Sequence, residues 1–177
     1  EWRTQMIEEA QAAAAAWKDK GVDVEVVVQS GDVDVQGQIG HIRNFINQGV
    51  DAIIINPGSP TAFSPVFAQA KARDILVIAT DAEVASKDAI YVGIDQKAWA
   101  AQSAEWLAEA LGGKGNVVTI NGIAGNPANE ARVAGYREVF AQHPDIKVLN
   151  EANANWDQAQ GQQTMQNLLA TYPDIQG

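Results

Sequence analysis

Cysteine is absent from this chain of 177 residues. Without a thiol there is no disulfide, no zinc–thiolate site and no cysteine nucleophile. Histidine is almost absent too, since His41 and His143 are the only two. Neither has a carboxylate at the spacing typical of a metal site. We therefore expect no metal, no cofactor and no catalytic histidine.

Positive charge is also scarce. Lysine and arginine number 12 against 22 aspartates and glutamates, which makes the net charge −10. Because binding to phosphate backbones needs a positive surface, we expect no nucleic-acid partner. No apolar run approaches the roughly 20 residues that span a bilayer, and no segment of this chain has the pattern of a signal peptide. The hydrophobic content of 46% and charged content of 19% are typical of a globular protein.

Helix and strand patterns alternate along the chain. Helices are predicted at residues 1–20, 33–48, 61–73, 95–111, 128–142 and 157–171. Strands are predicted at residues 22–29, 51–55, 75–80, 90–94, 117–120 and 147–151. Short strands with a wholly apolar core, such as 51–55, are typical of parallel sheets buried on both faces. The repeated βα units predict an α/β fold with a doubly wound parallel sheet.

One carboxylate stands out by its position in this pattern. Asp81 directly follows the predicted strand 75–80, and ligands of open α/β sheets bind outside the carboxyl ends of the strands. Asn129 and Arg132 lie one helical turn apart at the start of a later βα unit. Asp, Asn and Arg in such positions favour a site that holds a small polyhydroxyl ligand without cleaving it. The glycine groups at 112–115 and 122–125 match neither a dinucleotide fingerprint nor a P-loop, and are interpreted as turns.

Several stretches, taken in chain order, resemble one known family. They are residues 48–57, 75–81, 91–95, 115–118, 132–136, 155–157 and 172–175. Their sequence and order resemble the type I periplasmic sugar-binding proteins, the ribose- and galactose-receptor group that serves ABC transporters. The resemblance implies two Rossmann-like lobes joined by a hinge that closes on a sugar. It also implies that residues 1–94 form a first lobe lacking its first strand, that residues 95–177 begin an incomplete second lobe, and that the chain is an internal fragment truncated at both ends.

The family's binding roles can be transferred to five positions. The resemblance implies that Asp81 accepts hydrogen bonds from sugar hydroxyls, and that Arg132 donates to sugar oxygens through its planar fork. It implies that Trp156 packs its flat surface against the sugar ring. Trp2 corresponds to an aromatic residue from the loop after the missing first strand, and Asn129 adds a hydrogen bond.

Two positions differ from the ribose-type relatives. Ala82 occupies the place where those relatives often have an arginine, and Ile94 occupies the place where some have a serine. Both differences remove polar contacts. Another pentose, a hexose or a sugar alcohol therefore fits the sequence as well as ribose does.

Each candidate also has an alternative structural role. Asp81 can cap the turn that follows it. Arg132 can pair with Glu130 or Glu138 on the helix surface. Trp156 can be an ordinary core residue, because tryptophan is highly buried on average. We interpret the remaining tryptophans as packing residues within helices: Trp17, Trp99 and Trp106. Asp95 is interpreted as an N-cap and hinge residue.

Three functions are compatible with these features of the sequence. The first is a sugar receptor whose partners are a monosaccharide or sugar alcohol and the membrane permease of an ABC transporter. Such a receptor is expected to be periplasmic or lipid-anchored outside the cytoplasm, and a monomer when full-length. The second is the effector-binding domain of a LacI-type repressor, with a DNA-binding head ahead of the chain. The third is an enzyme, which ranks last because Asp81 has no carboxylate that the sequence places beside it as an acid–base partner.

Overall fold

The computed structural model describes residues 2–31 and 34–177, without the side chains of residues 2 and 3. The chain divides into two compact units, residues 1–33 and residues 34–177. The first unit contains α1 (Trp2–Lys18) and a segment without regular secondary structure that follows it. No helix in the described ranges is long and apolar enough to cross a bilayer.

The predicted strand at residues 22–29 is wrong. The segment has no regular secondary structure, and within the described residues it joins no sheet. A strand exists only where a neighbouring strand takes up its backbone N–H and C=O groups, and a local valine-rich pattern cannot supply that neighbour. Several of its valines are exposed: Val22, Val24, Val27 and Val28.

The second unit begins with a three-stranded sheet and two helices. The strands are β1 (Ala52–Ile55), β2 (Leu76–Thr80) and β3 (Ile90–Val92), in the order β1-β2-β3 and all parallel. The helices are α2 (Val35–Gln48) and α3 (Ser64–Lys71). Their apolar faces and one face of the sheet form a core that includes Ile42, Ile46, Ile53, Phe67 and Val77.

The other face of this sheet is open to solvent. Ile54, Ile90 and Val92 are each more than half exposed. The expectation that these strands are buried on both faces is therefore wrong for the described residues. The apolar composition of a strand shows that both of its faces suit burial, but it does not provide the layer that covers the second face.

The rest of the second unit is built on a two-stranded parallel sheet. Its elements are α4 (Gln96–Ala110), β4 (Gly115–Asn121), α5 (Pro127–Phe140), β5 (Ile146–Asn153) and α6 (Gln158–Thr171). The core contains Ala104, Ala108, Val117, Val139 and Phe140. Apart from the strand at 22–29, every predicted helix and strand is present, with ends shifted by at most three residues. The predicted parallel α/β class is confirmed.

Helices α4 and α5 approach each other closely at Gly135. A Cβ atom at that position would lie 2.3 Å from the backbone oxygen of Lys97 and 3.2 Å from the Cβ of Ala100. Only glycine lets the two backbones come this near. The first turn of α4 is fixed in addition by its N-cap, because Asp95 accepts a hydrogen bond from the backbone N–H of Ala98 at 2.9 Å. The prediction that Asp95 is an N-cap is confirmed.

The two sheets lie on either side of the expected lobe boundary at residues 94 and 95. The compact units of the chain divide elsewhere, at residues 33 and 34. The assignment of residues 1–94 and 95–177 to two lobes stays a prediction.

Candidate functional site

Polar and aromatic residues follow the carboxyl ends of four strands. Asn56 follows β1, Asp81 follows β2 and Gly122 follows β4, while Asn155 and Trp156 lie just beyond β5. Asp81, Asn155 and Trp156 have positive φ angles of 63°, 54° and 57°. Residues other than glycine seldom adopt this left-handed conformation, and where it occurs it is often associated with a functional site.

The Asp81 carboxylate is held by two side-chain amides. Its Oδ1 accepts a hydrogen bond from Nε2 of Gln96 at 2.9 Å, and its Oδ2 lies 3.4 Å from Nδ2 of Asn56. The backbone oxygen of Asp81 also accepts from Gln96, at 3.1 Å. Within the described residues the carboxylate accepts no backbone N–H of the turn that follows it. The geometry therefore differs from the simple turn cap that was the alternative for this residue.

Tyr91 on β3 connects the segment around Asp81 to the residues just before α4. Its hydroxyl lies 3.1 Å from the backbone oxygen of Asp81 and 2.9 Å from that of Ile94. With one proton, the hydroxyl donates to one of the two oxygens at a time. Partial burial, and then the negative charge of Asp81, raise the pKa of Tyr91, so the phenol remains a donor.

Arg132 points to α4 and makes no ion pair among the described residues. Its Nε donates to Oε1 of Gln96 at 2.9 Å, and its guanidinium carbon lies 4.8 Å from the centre of the Trp99 ring. A cation stacked on an indole in this way is held by a cation–π interaction. Among the described residues the guanidinium therefore has no carboxylate contact of its own, and Gln96 links it to Asp81.

The alternative partners of Arg132 are engaged elsewhere. Glu138 forms a salt bridge with Lys97 at 2.6 Å. Glu130 accepts a hydrogen bond from the backbone N–H of Gly125 at 2.8 Å. The predicted surface pairing of Arg132 with either glutamate is wrong, because the side chain turns toward the first turn of α4.

Asn129 and Trp156 both contact the loop at Gly122. Asn129 is buried, and its Oδ1 accepts from the backbone N–H of Gly122 at 2.7 Å. The indole of Trp156 lies over Gly122, where an added Cβ would be only 2.1 Å from Cε2 of the ring. Trp156 is nevertheless 51% exposed, so the core-residue alternative is wrong. The side chain of Trp2 lies outside the described part of the structure.

Three residues of this region were missed as site residues by sequence reasoning. Asn56 stands directly after a strand, as Asp81 does, and the same rule could have identified it. Gln96 gave no local signal, because a glutamine in the first turn of a helix is ordinary in sequence. Trp99 was interpreted as a packing residue, together with Trp17 and Trp106. All three tryptophans are about half exposed or more, so that interpretation is wrong.

The chemistry of the site is that of hydrogen bonding and stacking. A carboxylate supplies acceptors, a guanidinium supplies donors, and a half-exposed indole supplies a flat apolar surface. These are the groups that complement the hydroxyls and the C–H face of a polyhydroxyl ligand. Among the described residues, no three His, Asp or Glu side chains lie together as they would around a metal ion.

The whole chain is similar to proteins of one known family. The family model described as "Periplasmic binding protein domain" matches residues 1–177. A xylitol-binding protein from Mycolicibacterium smegmatis is 37% identical over 160 residues, which cover 89% of this chain and 46% of the relative. A D-apiose import binding protein from Paraburkholderia graminis is 32% identical over 172 residues, covering 96% of this chain and 54% of the relative.

The chain is also similar in three dimensions to a solved structure. That structure is an ABC transporter periplasmic solute-binding protein from Actinobacillus succinogenes with bound D-allose, at 33% identity and a TM-score of 0.79. The match covers 96% of this chain and 62% of that one. The chain spans about half the length of the curated relatives it matches.

Proposed function

Because this chain belongs to the periplasmic binding protein domain family, we propose that the whole protein is the substrate-binding component of an ABC transporter. It captures a monosaccharide or sugar alcohol between two lobes, residues 1–94 and residues 95–177 each contributing to one of them, and closes by a hinge motion. The relatives named above bind xylitol, import D-apiose or hold D-allose, all of them small and rich in hydroxyls.

The observation that carries this proposal is the hydrogen-bonded link from Asp81, just after β2, through Gln96 to Arg132 on α5. Asp81 accepts hydrogen bonds from ligand hydroxyls, and the terminal amino groups of Arg132 donate to ligand oxygens. Trp156 stacks on the sugar ring. Asn129 holds the loop on which Trp156 rests, and Trp2 is retained as an aromatic contact from the first lobe.

The same geometry favours binding over catalysis. The groups that hydrogen-bond to the Asp81 carboxylate among the described residues are the amides of Asn56 and Gln96, which do not titrate. A general acid–base pair needs two groups that exchange a proton. We therefore propose a receptor and not an enzyme.

The partners and location follow from the same proposal. The names of the relatives describe import and periplasmic binding, which favours transport over the LacI-type repressor. The protein acts outside the cytoplasm, in a periplasm or anchored by a lipid. It delivers its ligand as a monomer to the membrane permease of the transporter.

A thermal-shift screen of the full-length protein tests this function. The panel contains xylitol, D-apiose and D-allose, with amino acids as negative controls. A ligand at 100 times its dissociation constant stabilises the folded state by about 2.7 kcal/mol, which raises the Tm by several degrees. A shift with one or more of the polyhydroxyl compounds supports the proposal. The absence of a shift with any sugar or sugar alcohol, in a wider panel that includes the common pentoses and hexoses, contradicts it.

A further inference from the structure

Gln96 lies between the two charged residues of the proposed site. Its side chain is buried, with the residue only 5% exposed. Its Nε2 donates to Oδ1 of Asp81 and its Oε1 accepts from Nε of Arg132, both at 2.9 Å. One neutral side chain thus joins the carboxylate that follows β2 to the guanidinium on α5.

The charges on either side determine how this amide is oriented. An ionised aspartate only accepts hydrogen bonds, and an arginine only donates them. The amide nitrogen must therefore face Asp81 and the amide oxygen must face Arg132. No other uncharged side chain of this length carries an N–H donor and a C=O acceptor on the same terminal group.

A neutral spacer has a consequence for the ligand. If Asp81 and Arg132 met directly, they would form a bidentate pair that occupies the same oxygens and N–H groups that the ligand needs. With Gln96 between them, each charged group uses one atom on the amide. The second oxygen of Asp81 has only the long 3.4 Å contact with Nδ2 of Asn56, and the terminal amino groups of Arg132 make no hydrogen bond within the described residues, so these atoms face a ligand.

The surrounding structure holds Gln96 firmly in this place. It is the first residue of α4, directly after the N-cap Asp95. Close packing at Gly135 fixes this turn of α4 against α5. One turn further along α4, Trp99 supports the guanidinium of Arg132 from its flat side. Arg132 is therefore oriented by two residues of one helix turn.

We propose that Gln96 is a positioning residue, which orients Asp81 and Arg132 for the ligand and keeps the two from pairing with each other. This inference rests on the proposed function, because it concerns the same polyhydroxyl ligand. Gln96 is assigned no contact with the ligand itself.

Two substitutions in the full-length protein test the role. Gln96→Met keeps the length of the side chain and removes both the donor and the acceptor. Gln96→Glu keeps the shape and replaces the donor with a charged acceptor. The matched control is Gln102→Glu, which adds the same charge at an exposed position of the same helix. Binding is measured by titration calorimetry with whichever of xylitol, D-apiose and D-allose binds the wild type, and the Tm of each variant checks the fold.

We expect Gln96→Met to weaken binding roughly 10- to 100-fold, the effect of losing hydrogen bonds to two charged groups. Gln102→Glu stays within about 2-fold of the wild type, because exposed charges are screened. Gln96→Glu weakens binding at pH 8, because Asp81 then faces a second carboxylate and Arg132 is drawn into a direct ion pair.

The pH dependence of Gln96→Glu separates positioning from simple packing. The charged and titratable groups around the position are Asp81, Arg132, Tyr91, Glu83, Asp95, and Lys97 with its partner Glu138. Two carboxylates within hydrogen-bond distance of each other, opposite a single guanidinium, tend to share one proton. Lowering the pH from 8 to 5 restores a donor between them. The affinity of Gln96→Glu should then recover several-fold, while that of the wild type changes less.

The measured affinities distinguish a positioning role for Gln96 from a packing role, and they test the proposed function separately. Wild-type affinity in both Gln96 variants overturns the inference and leaves the proposed function intact. An affinity loss in Gln96→Glu that is the same at pH 5 and pH 8 also overturns it, because the residue then acts through packing alone. A wild type that binds no sugar or sugar alcohol overturns the proposed function, and the inference with it.

Discussion

Replacing Gly135 with alanine should separate the two helices on which the site depends. The added Cβ would lie 2.3 Å from the backbone oxygen of Lys97 and 3.1 Å from the backbone nitrogen of Ala101. Non-bonded atoms are most stable near 3.5 Å, so α4 and α5 must move apart by about 1 Å. The atoms in the way belong to helical backbone, which cannot turn aside as a flexible side chain can.

This contact determines how much free energy of unfolding the substitution costs. Overpacking of this kind destabilises a protein by about 1–3 kcal/mol. In a protein of this size or larger, each kcal/mol lowers the Tm by about 2–4 °C. We therefore expect a fall of roughly 2–12 °C in thermal unfolding of the full-length protein. Arg132 lies one turn before Gly135, so its 2.9 Å hydrogen bond to Gln96 should lengthen beyond bonding range and weaken sugar binding.

The matched control is Gly161→Ala in α6. The nearest atom to an added Cβ there is the Cβ of Ala154 at 4.0 Å, an ordinary contact. Because alanine favours a helix over glycine by about 0.5–1 kcal/mol, this variant should be neutral or stabilising. If Gly135→Ala unfolds at the same temperature as Gly161→Ala, the close approach of α4 and α5 is wrong.

Three further predictions concern single contacts. Arg132→Lys keeps the charge but loses the planar fork, and titration calorimetry should show sugar binding weakened about 10-fold or more. Gly122→Ala should displace the half-exposed indole of Trp156 and lower sugar affinity while changing the Tm by only a few degrees. Hydrogen bonding to Arg137 lowers the pKa of Glu151 in the folded protein. The ionised Glu151 therefore stabilises the fold fully above the ordinary glutamate pKa of about 4.3, and this stabilisation is lost as the pH falls through the lowered pKa. Glu151→Gln should therefore be less stable than the wild type at pH 7 in urea unfolding, and the difference should shrink as the pH falls below the ordinary glutamate value.

The first two of these predictions have a matched control variant in the same chain. Arg43→Lys, at an exposed position of α2, should leave binding unchanged. Gly40→Ala, where an added Cβ meets nothing within 4 Å, is the control for Gly122→Ala. Unchanged affinity in Gly122→Ala would remove Trp156 from the proposed site. A stability difference for Glu151→Gln that stays constant from pH 7 to pH 3 would contradict the ion pair.

The order of helices and strands could be predicted from the sequence because it depends on local patterns. Apolar periodicity and capping residues such as Asp95 determine where elements begin and end, and these signals lie within a few residues. The segment at 22–29 has a strand pattern, but a strand needs a neighbour to pair with, and that requirement is not local. The open face bearing Ile54 and Ile90 has the same origin, since composition does not provide the covering layer.

The candidate site could be predicted in part, for a similar reason. Asp81 was identifiable because its position after a strand is visible in the chain and has a general meaning in α/β sheets. The link from Asp81 to Arg132 runs through Gln96, which is distant from Arg132 in sequence and unremarkable as a residue type. Such a link depends on how α4 packs against α5, which follows from Gly135 only once the structure is known.

The most direct test of the central claim is calorimetric titration of the full-length protein and its Asp81→Ala variant, side by side, with xylitol, D-apiose and D-allose. The account predicts that at least one of these binds the wild type. It also predicts that Asp81→Ala weakens that binding by about 100-fold or more, because charged hydrogen bonds to two hydroxyls are lost, while the variant stays folded. Binding of equal strength in the wild type and in Asp81→Ala would contradict it.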